Sequence, residues 1–223
     1  MADGRDLAVW DNHAIECEGE ARKPFEFDSL LASSEEQVEY PHVPDPKKNW
    51  LRETLESLDN VTDVLDIGCG PCYWINLFQG FRYHGFDQSP EMLRVASKVI
   101  TENDLLGNLV ELRQGNARKL GETYPEKRFD LVFTSAVLQH NRHAPDKTEI
   151  VQGMYEILRP GGYYLCTEDT CREDNHPECV GAEGCLRGPE YSFKPAGWEK
   201  FMSELGFETR EYRAPSEYLY RKV

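Results

Sequence analysis

Between residues 61 and 168 short apolar runs alternate with amphipathic segments, and few folds accept that pattern. Val61–Ile67, Phe81–Phe86, Val110–Gln114, Phe129–Ser135 and Tyr163–Glu168 have the length and apolar content of buried strands. The spacing between them predicts a short helix over Tyr73–Phe78 and a helix over Pro90–Ile100 with Ser89 as its N-cap. A third helix, Asp146–Leu158, is stopped by Arg159-Pro-Gly-Gly162. Strand and helix in alternation require crossover connections, which make strands parallel and put helices on both faces of the sheet.

The flanks differ. Residues 169–195 break the rhythm with prolines, glycines, charges and three cysteines, and read as a long excursion. A helix over Ala196–Leu205 follows, then two strand-like runs, Phe207–Arg213 and Glu217–Lys222, joined by Ala-Pro-Ser as a terminal hairpin. The expected class is α/β, a seven-stranded mostly parallel sheet with an antiparallel C-terminal hairpin. Residues 1–46 are polar and irregular, and the prolines of Tyr40-Pro-His-Val-Pro-Asp-Pro46 exclude helix there, so this segment is expected to be a lid or linker. Lys47–Leu58 carries Trp50, Leu51, Leu55 and Leu58 at helical spacing and opens the single domain expected over 47–223.

Charge narrows the partners. The chain has 25 basic and 40 acidic side chains, a net charge of -15, and its basic residues are scattered. A polyanion needs a concentrated basic face, so nucleic acid and anionic membrane are excluded as expected partners. No apolar run approaches the roughly 18 residues of a membrane span, and the N-terminus has no basic-then-apolar signal region, so a cytoplasmic location is expected. Seven cysteines without a secretion signal argue against a disulfide framework.

The chemistry concentrates at Asp66-Ile-Gly-Cys-Gly70, where the first strand meets its turn. Glycines there let the backbone approach a ligand, and the carboxyl end of such a strand is the expected crevice of an open parallel sheet. Asp87 lies 21 residues after Asp66, at the end of the second strand, where a carboxylate can accept both hydroxyls of a ribose. A nicotinamide dinucleotide would ask for a third glycine where Tyr73 stands, and Asp66 would lie close to its pyrophosphate. An acidic crevice suits a ligand with an amino acid ammonium and a sulfonium better.

These residues resemble the class I S-adenosylmethionine-dependent methyltransferases. Asp66-Ile-Gly-Cys-Gly70 is similar to their first motif, and Gly85-Phe-Asp-Gln-Ser-Pro-Glu-Met-Leu93 to the second, whose acidic residue holds the ribose. Gln114-Gly-Asn-Ala117 resembles the third, whose polar side chain meets the adenine amino group. Phe129–His140 is similar to the fourth strand and its exit loop, and Ile157–Leu165 to the turn before the fifth. The resemblance covers roughly residues 61–168 and implies S-adenosyl-L-methionine as cofactor, with Asp66, Gly68, Gly70, Asp87, Gln88, Met92, Asn116, Ala117 and Ser135 around it. Two residues depart from the pattern, Cys72 at the usual third glycine and Asn116 for the usual aspartate, and neither is expected to abolish binding.

The resemblance also implies that the loop after the fourth strand lies beside the reacting methyl group. His140, with Gln139, Asn141 and His143 around it, is the candidate general base or orienting group. The preferred acceptor is an oxygen or nitrogen atom of a small molecule, met by aromatics such as Trp10, Tyr191, Phe193 and Trp198, of which Trp198 is expected rather to be core, with Glu168 and Asp169 available to attract an amine. A peptide or protein side chain is the alternative. Two further readings come from other classes: a thiol–disulfide oxidoreductase through Cys69-Gly-Pro-Cys72, and a cofactor-binding protein without turnover. Cys166, Cys171, His176, Cys179 and Cys185 match no regular zinc module, and no metal is expected.

Overall fold

The computed structural model describes residues 45–102, 105, 107–126, 129–141, 144–168, 195–213 and 217–223. Its strands are β1 (Asp63–Ile67), β2 (Arg82–Asp87), β3 (Leu109–Gln114), β4 (Phe129–Ser135), β5 (Leu158–Thr167), β6 (Phe207–Arg213) and β7 (Glu217–Lys222). They form one sheet in the order β3-β2-β1-β4-β5-β7-β6. β1 to β5 pair in parallel, while β7 runs antiparallel to both β5 and β6. The order reverses between β1 and β4, which places the topological switch point, and hence the ligand crevice, at the C-terminal ends of these two strands.

The helices are α1 (Asp45–Ser57), α2 (Pro90–Glu102), the short α3 (Leu120–Thr123), α4 (Ala144–Ile157) and α5 (Pro195–Leu205). Side-chain alternation along the buried strands divides the core in two. Leu65, Val132, Tyr164, Cys166, Tyr218 and Tyr220 face α4 and α5, where they meet Ile150, Met154, Trp198 and Met202. Val64, Leu131, Phe133, Leu165 and Leu219 face the other way, onto Trp50, Leu51 and Leu55 of α1 and Ala96 and Ile100 of α2. Trp198 is a core residue, as expected. Trp50 also donates its indole N–H to Glu211 Oε1 at 2.7 Å, tying α1 to β6.

At the far end of the sheet from the crevice a polar network fixes the strand starts. The Asp130 carboxylate accepts the Thr62 and Asp63 amides at 3.0 and 2.9 Å and meets Arg159 at 2.6 Å. The buried His84 ring lies between Asp63 Oδ1 and Glu111 Oε1, 3.0 Å from each. Burying so many polar groups is tolerable because each has a partner.

The structure departs from the sequence expectations in several places. Tyr73–Phe78 is not an α-helix but a 3-10 turn over Ile75–Phe78. Only seven residues separate two left-handed positions, Cys72 and Gly80, too few to nucleate a stable helix. Arg159-Pro-Gly-Gly162 is drawn into β5, which begins at Leu158 and shifts register against β4 between Phe129 and Leu131. Helix α1 starts at Asp45, within the expected linker, because Pro46 falls in its first turn, where no N–H is required. The expected lid up to residue 44 and the excursion 169–194 lie outside the described residues, with Trp10, Tyr191, Phe193, Asp169, His143 and the cysteines and histidine of 171–185.

Candidate active site

β1 delivers its last residues into a turn of left-handed backbone. Gly68 and Gly70 have φ of +68° and +51°, where an L side chain is strained. The amides of Gly68 and Cys69 both donate to Phe86 O, at 2.7 and 3.1 Å, folding the turn over the end of β2. Among the described residues, a Cβ on Gly70 would come near Met92 Sδ at 3.9 Å and nothing closer, so these residues leave the space over this glycine open. A Cβ on Gly68 would instead lie 2.5 Å from Val137 Cγ2. Cys72, at the usual third glycine, is fully buried and itself left-handed, with φ +62°.

Two carboxylates serve this turn. Gly70 N–H donates to Asp87 Oδ2 and Ser89 N–H to Asp87 Oδ1, both at 2.9 Å. Ser89 then caps α2 by accepting the Met92 amide at 3.1 Å. Asp66 lies beneath, 1% exposed, and accepts the Tyr83 hydroxyl at 2.6 Å. Burial pushes the Asp66 carboxyl from its ordinary 3.8 up to about 7, with the Tyr83 hydrogen bond opposing the rise and the Asp87 charge adding to it.

The neighbouring strand ends complete the rim. Gln114 Nε2 donates to Gln88 O at 3.2 Å, and Gly115 N–H to Asp87 O at 2.9 Å. Asn116 Oδ1 accepts the Arg118 amide at 3.0 Å and so caps the 3-10 turn Ala117–Lys119. The cap uses one lone pair of the amide oxygen and leaves the amide's remaining hydrogen-bonding capacity for a ligand. Ser135 Oγ accepts from Thr167 Oγ1 at 2.8 Å. His140 ends a second 3-10 turn, Leu138–His140, and is half-buried.

The sequence-assigned residues therefore meet at one edge. Asp66, Gly68 and Gly70 follow β1; Asp87, Gln88 and Met92 follow β2; Asn116 and Ala117 follow β3; Ser135 and His140 follow β4. Glu168 departs from its expected role. It is 1% exposed, and its carboxylate accepts the Val137 and Leu138 amides at 3.1 and 2.9 Å, so it is not offered to an amine substrate. The sequence carried no sign of this grip, nor of the contact between Val137 and Gly68, because neither follows from spacing within one element.

Redox chemistry at Cys69 and Cys72 is disfavoured. Both thiols are free and buried. A hydrogen bond with Cys72, and then burial, push the Cys69 thiol well above its ordinary range, whereas an attacking thiol must ionise readily.

The donor set fits S-adenosylmethionine. The described residues leave room over Gly70 for a backbone-close ligand, Asp87 places a carboxylate beside that space, and the two carboxylates favour a cation. Similarity to known proteins points the same way. The family model described as "Methyltransferase domain" matches residues 65–166. Over 126 residues the chain is 35% identical to a demethylmenaquinone methyltransferase of Listeria monocytogenes, covering 53% of this chain and 50% of that protein. The chain thus spans about half the length of the curated relatives it matches. Among solved structures the DhpI–SAH complex is 20% identical with a TM-score of 0.62, over 97% of this chain and 93% of that one. Magnesium protoporphyrin IX methyltransferase from Synechocystis PCC 6803 with bound SAH is 17% identical with a TM-score of 0.61, over 88% and 94% of the two chains. At those identities the structures speak to the fold, and the matched motifs carry the rest. Residues 65–166 thus match a methyltransferase domain, set in the fold that those solved structures share.

Proposed function

We propose that this protein transfers a methyl group from S-adenosylmethionine to an oxygen or nitrogen atom of a small-molecule acceptor. The observation that carries this reading is the Asp87 carboxylate, shared between the Gly70 and Ser89 amides beside the open space over Gly70. Bound there, S-adenosylmethionine supplies a methyl group already activated on a sulfonium. Asp87 would accept the ribose hydroxyls, Asn116 and Ala117 would border the adenine, and Asp66 would lend negative charge to the cationic end. Gln88, Met92 and Ser135 would line the remainder. His140 would hold the acceptor or take its proton, and most of the acceleration would come from alignment of the two reactants.

A second reading has one observation in its favour. The 35% identical relative is named a demethylmenaquinone methyltransferase, so an aromatic acceptor of that kind belongs in the first trial. The test is to supply S-adenosylmethionine with an isotopic methyl group together with small phenols, amines, carboxylates, demethylmenaquinone and a basic peptide. Label on a phenol, amine or carboxylate supports the proposal; label on demethylmenaquinone selects the second reading. Label on the peptide alone overturns both, and tight cofactor binding without any label favours a binding protein. In the same assay His140→Ala is expected to lower kcat by about 100-fold, the usual worth of general acid–base help. Unchanged turnover would remove His140 from the chemistry.

Cofactor affinity is expected to rise as pH increases through about 7. In the free protein Asp66 holds its proton below about 7, and a cationic ligand favours the ionised form, so binding below that pH must expel the proton. Titrations from about pH 5.5 to 8.5 should show this slope, and Asp66→Asn should flatten it. The free fold changes the opposite way: the unfolded chain loses this proton near 3.8 and the folded chain near 7, so the group's stabilising contribution fades over that window as pH rises. Cys72→Gly is expected to change cofactor affinity by less than about threefold, because relief of the left-handed strain offsets the loss of a small buried side chain. A larger change, measured by calorimetry, would show that the thiol shapes the site.

A further inference from the structure

The loop after β4 is held by an unusual concentration of bonds from the end of β5. Ala136 N–H donates to Thr167 O at 2.9 Å, and Thr167 Oγ1 donates to Ser135 Oγ at 2.8 Å. The next two amides, of Val137 and Leu138, each reach one oxygen of Glu168. Ala136 itself is left-handed, with φ +58°, a conformation a non-glycine residue keeps only when its surroundings enforce it. Beyond these amides the loop closes on itself, His140 N–H donating to Val137 O at 3.2 Å and Asn141 Nδ2 to the same carbonyl at 3.0 Å. The Val137 side chain presses on Gly68 in the cofactor turn.

We propose that Glu168 is a positioning residue: by accepting the Val137 and Leu138 amides, its carboxylate holds the loop after β4 against Gly68 and so fixes His140 relative to the cofactor turn. Bidentate acceptance by one carboxylate sets both the height and the tilt of the loop, which a single neutral acceptor does not. A buried carboxylate also needs a nearby positive charge. Lys147 of α4 supplies it; burial pushes its ammonium from the ordinary 10.5 down to about 8, and the Glu168 carboxylate opposes that shift. Glu168, fully enclosed, acts through the loop and not on the acceptor.

The consequence for turnover rests on the methyl-transfer reading; the consequence for loop mobility does not. The experiment compares the full chain with Glu168→Gln, Glu168→Asp and the double variant Glu168→Gln/Lys147→Met. Glutamine keeps one acceptor but turns an N–H group toward a backbone N–H. Hydrogen exchange at Val137 and Leu138 is expected to accelerate about tenfold or more in Glu168→Gln, while the central amides of β4 stay protected as in the parent. With the acceptor found in the labelling trial, kcat should fall about thirtyfold, the scale of a sub-ångström misplacement, while the Kd for S-adenosylhomocysteine moves less than about threefold. Glu168→Asp, which keeps two acceptor oxygens and the charge, should recover part of both losses.

The double variant also removes the Lys147 charge and guards against a simple folding failure. Loop exchange and kcat that stay impaired there support positioning through the amides. Their full recovery overturns the proposal, since Glu168 would then serve only to balance Lys147. Parent-like loop exchange or an unchanged kcat in Glu168→Gln overturns it as well. Should the parent methylate nothing, the function reading fails on its own, and the exchange rates alone decide whether Glu168 holds the loop.

Discussion

Asp87→Ala is expected to weaken S-adenosylmethionine binding by about a hundredfold or more, the largest effect of any single truncation at the site. Hydrogen bonds to a charged acceptor contribute about 1.5–3 kcal/mol each, and this carboxylate accepts one from Gly70 and one from Ser89 before any ligand arrives. Truncation removes those two and, on the proposed pose, the acceptors of the ribose hydroxyls. Titration calorimetry reads the affinity and thermal unfolding of the free chain reads the structural share. Asp87→Asn, with one carbonyl oxygen left, should fall between parent and alanine. If alanine at 87 binds the cofactor within about threefold of the parent, the ribose assignment is wrong.

Gly68→Ala should cost the fold about 3 kcal/mol, combining left-handed strain of about 1–2 kcal/mol with overpacking of about 1–3 kcal/mol. The new Cβ would stand 2.5 Å from Val137 Cγ2, and Val137 cannot withdraw freely because its amide is gripped by Glu168. β-branching further limits its rotamers. Val137→Ala in the same chain should return more than about 1 kcal/mol of the loss, a coupling that urea unfolding of the four chains of a double-mutant cycle can resolve. Additive effects would mean that the turn and the loop do not press on each other. The deficit of the double variant relative to Val137→Ala alone isolates the backbone strain at φ +68°.

Most of the architecture was legible because it rests on local pattern. β4, β6 and β7 coincide with their expected bounds, and the Ser89 cap of α2 lies where serine before proline indicated. That these glycines and carboxylates would gather at the C-terminal edge of the strands was also readable, since their positions follow one strand end after another. What escaped depends on contacts between distant elements. Glu168 ends a strand, and sequence alone could not say whether its carboxylate faced a pocket or the amides of the loop after β4. The 3-10 turn at Ile75–Phe78 escaped because Cys72 gives no sign that it is left-handed, as a glycine would. Residues 117–123 were passed over because four- and three-residue helices are too short to show a period.

The two thiols beside Gly70 also make the chain its own clock. Cys69 and Cys72 are buried on either side of the glycine that faces the open cradle, so an alkylating reagent reaches them when that turn opens. Their modification rate, followed on the peptide that contains both, measures how often the turn breathes, while Cys166 in the middle of the sheet records the rarer opening of the whole fold. A ligand seated over Gly70 should slow the first rate more than the second. The ratio of the two would report occupancy without a labelled substrate, an acceptor or any turnover.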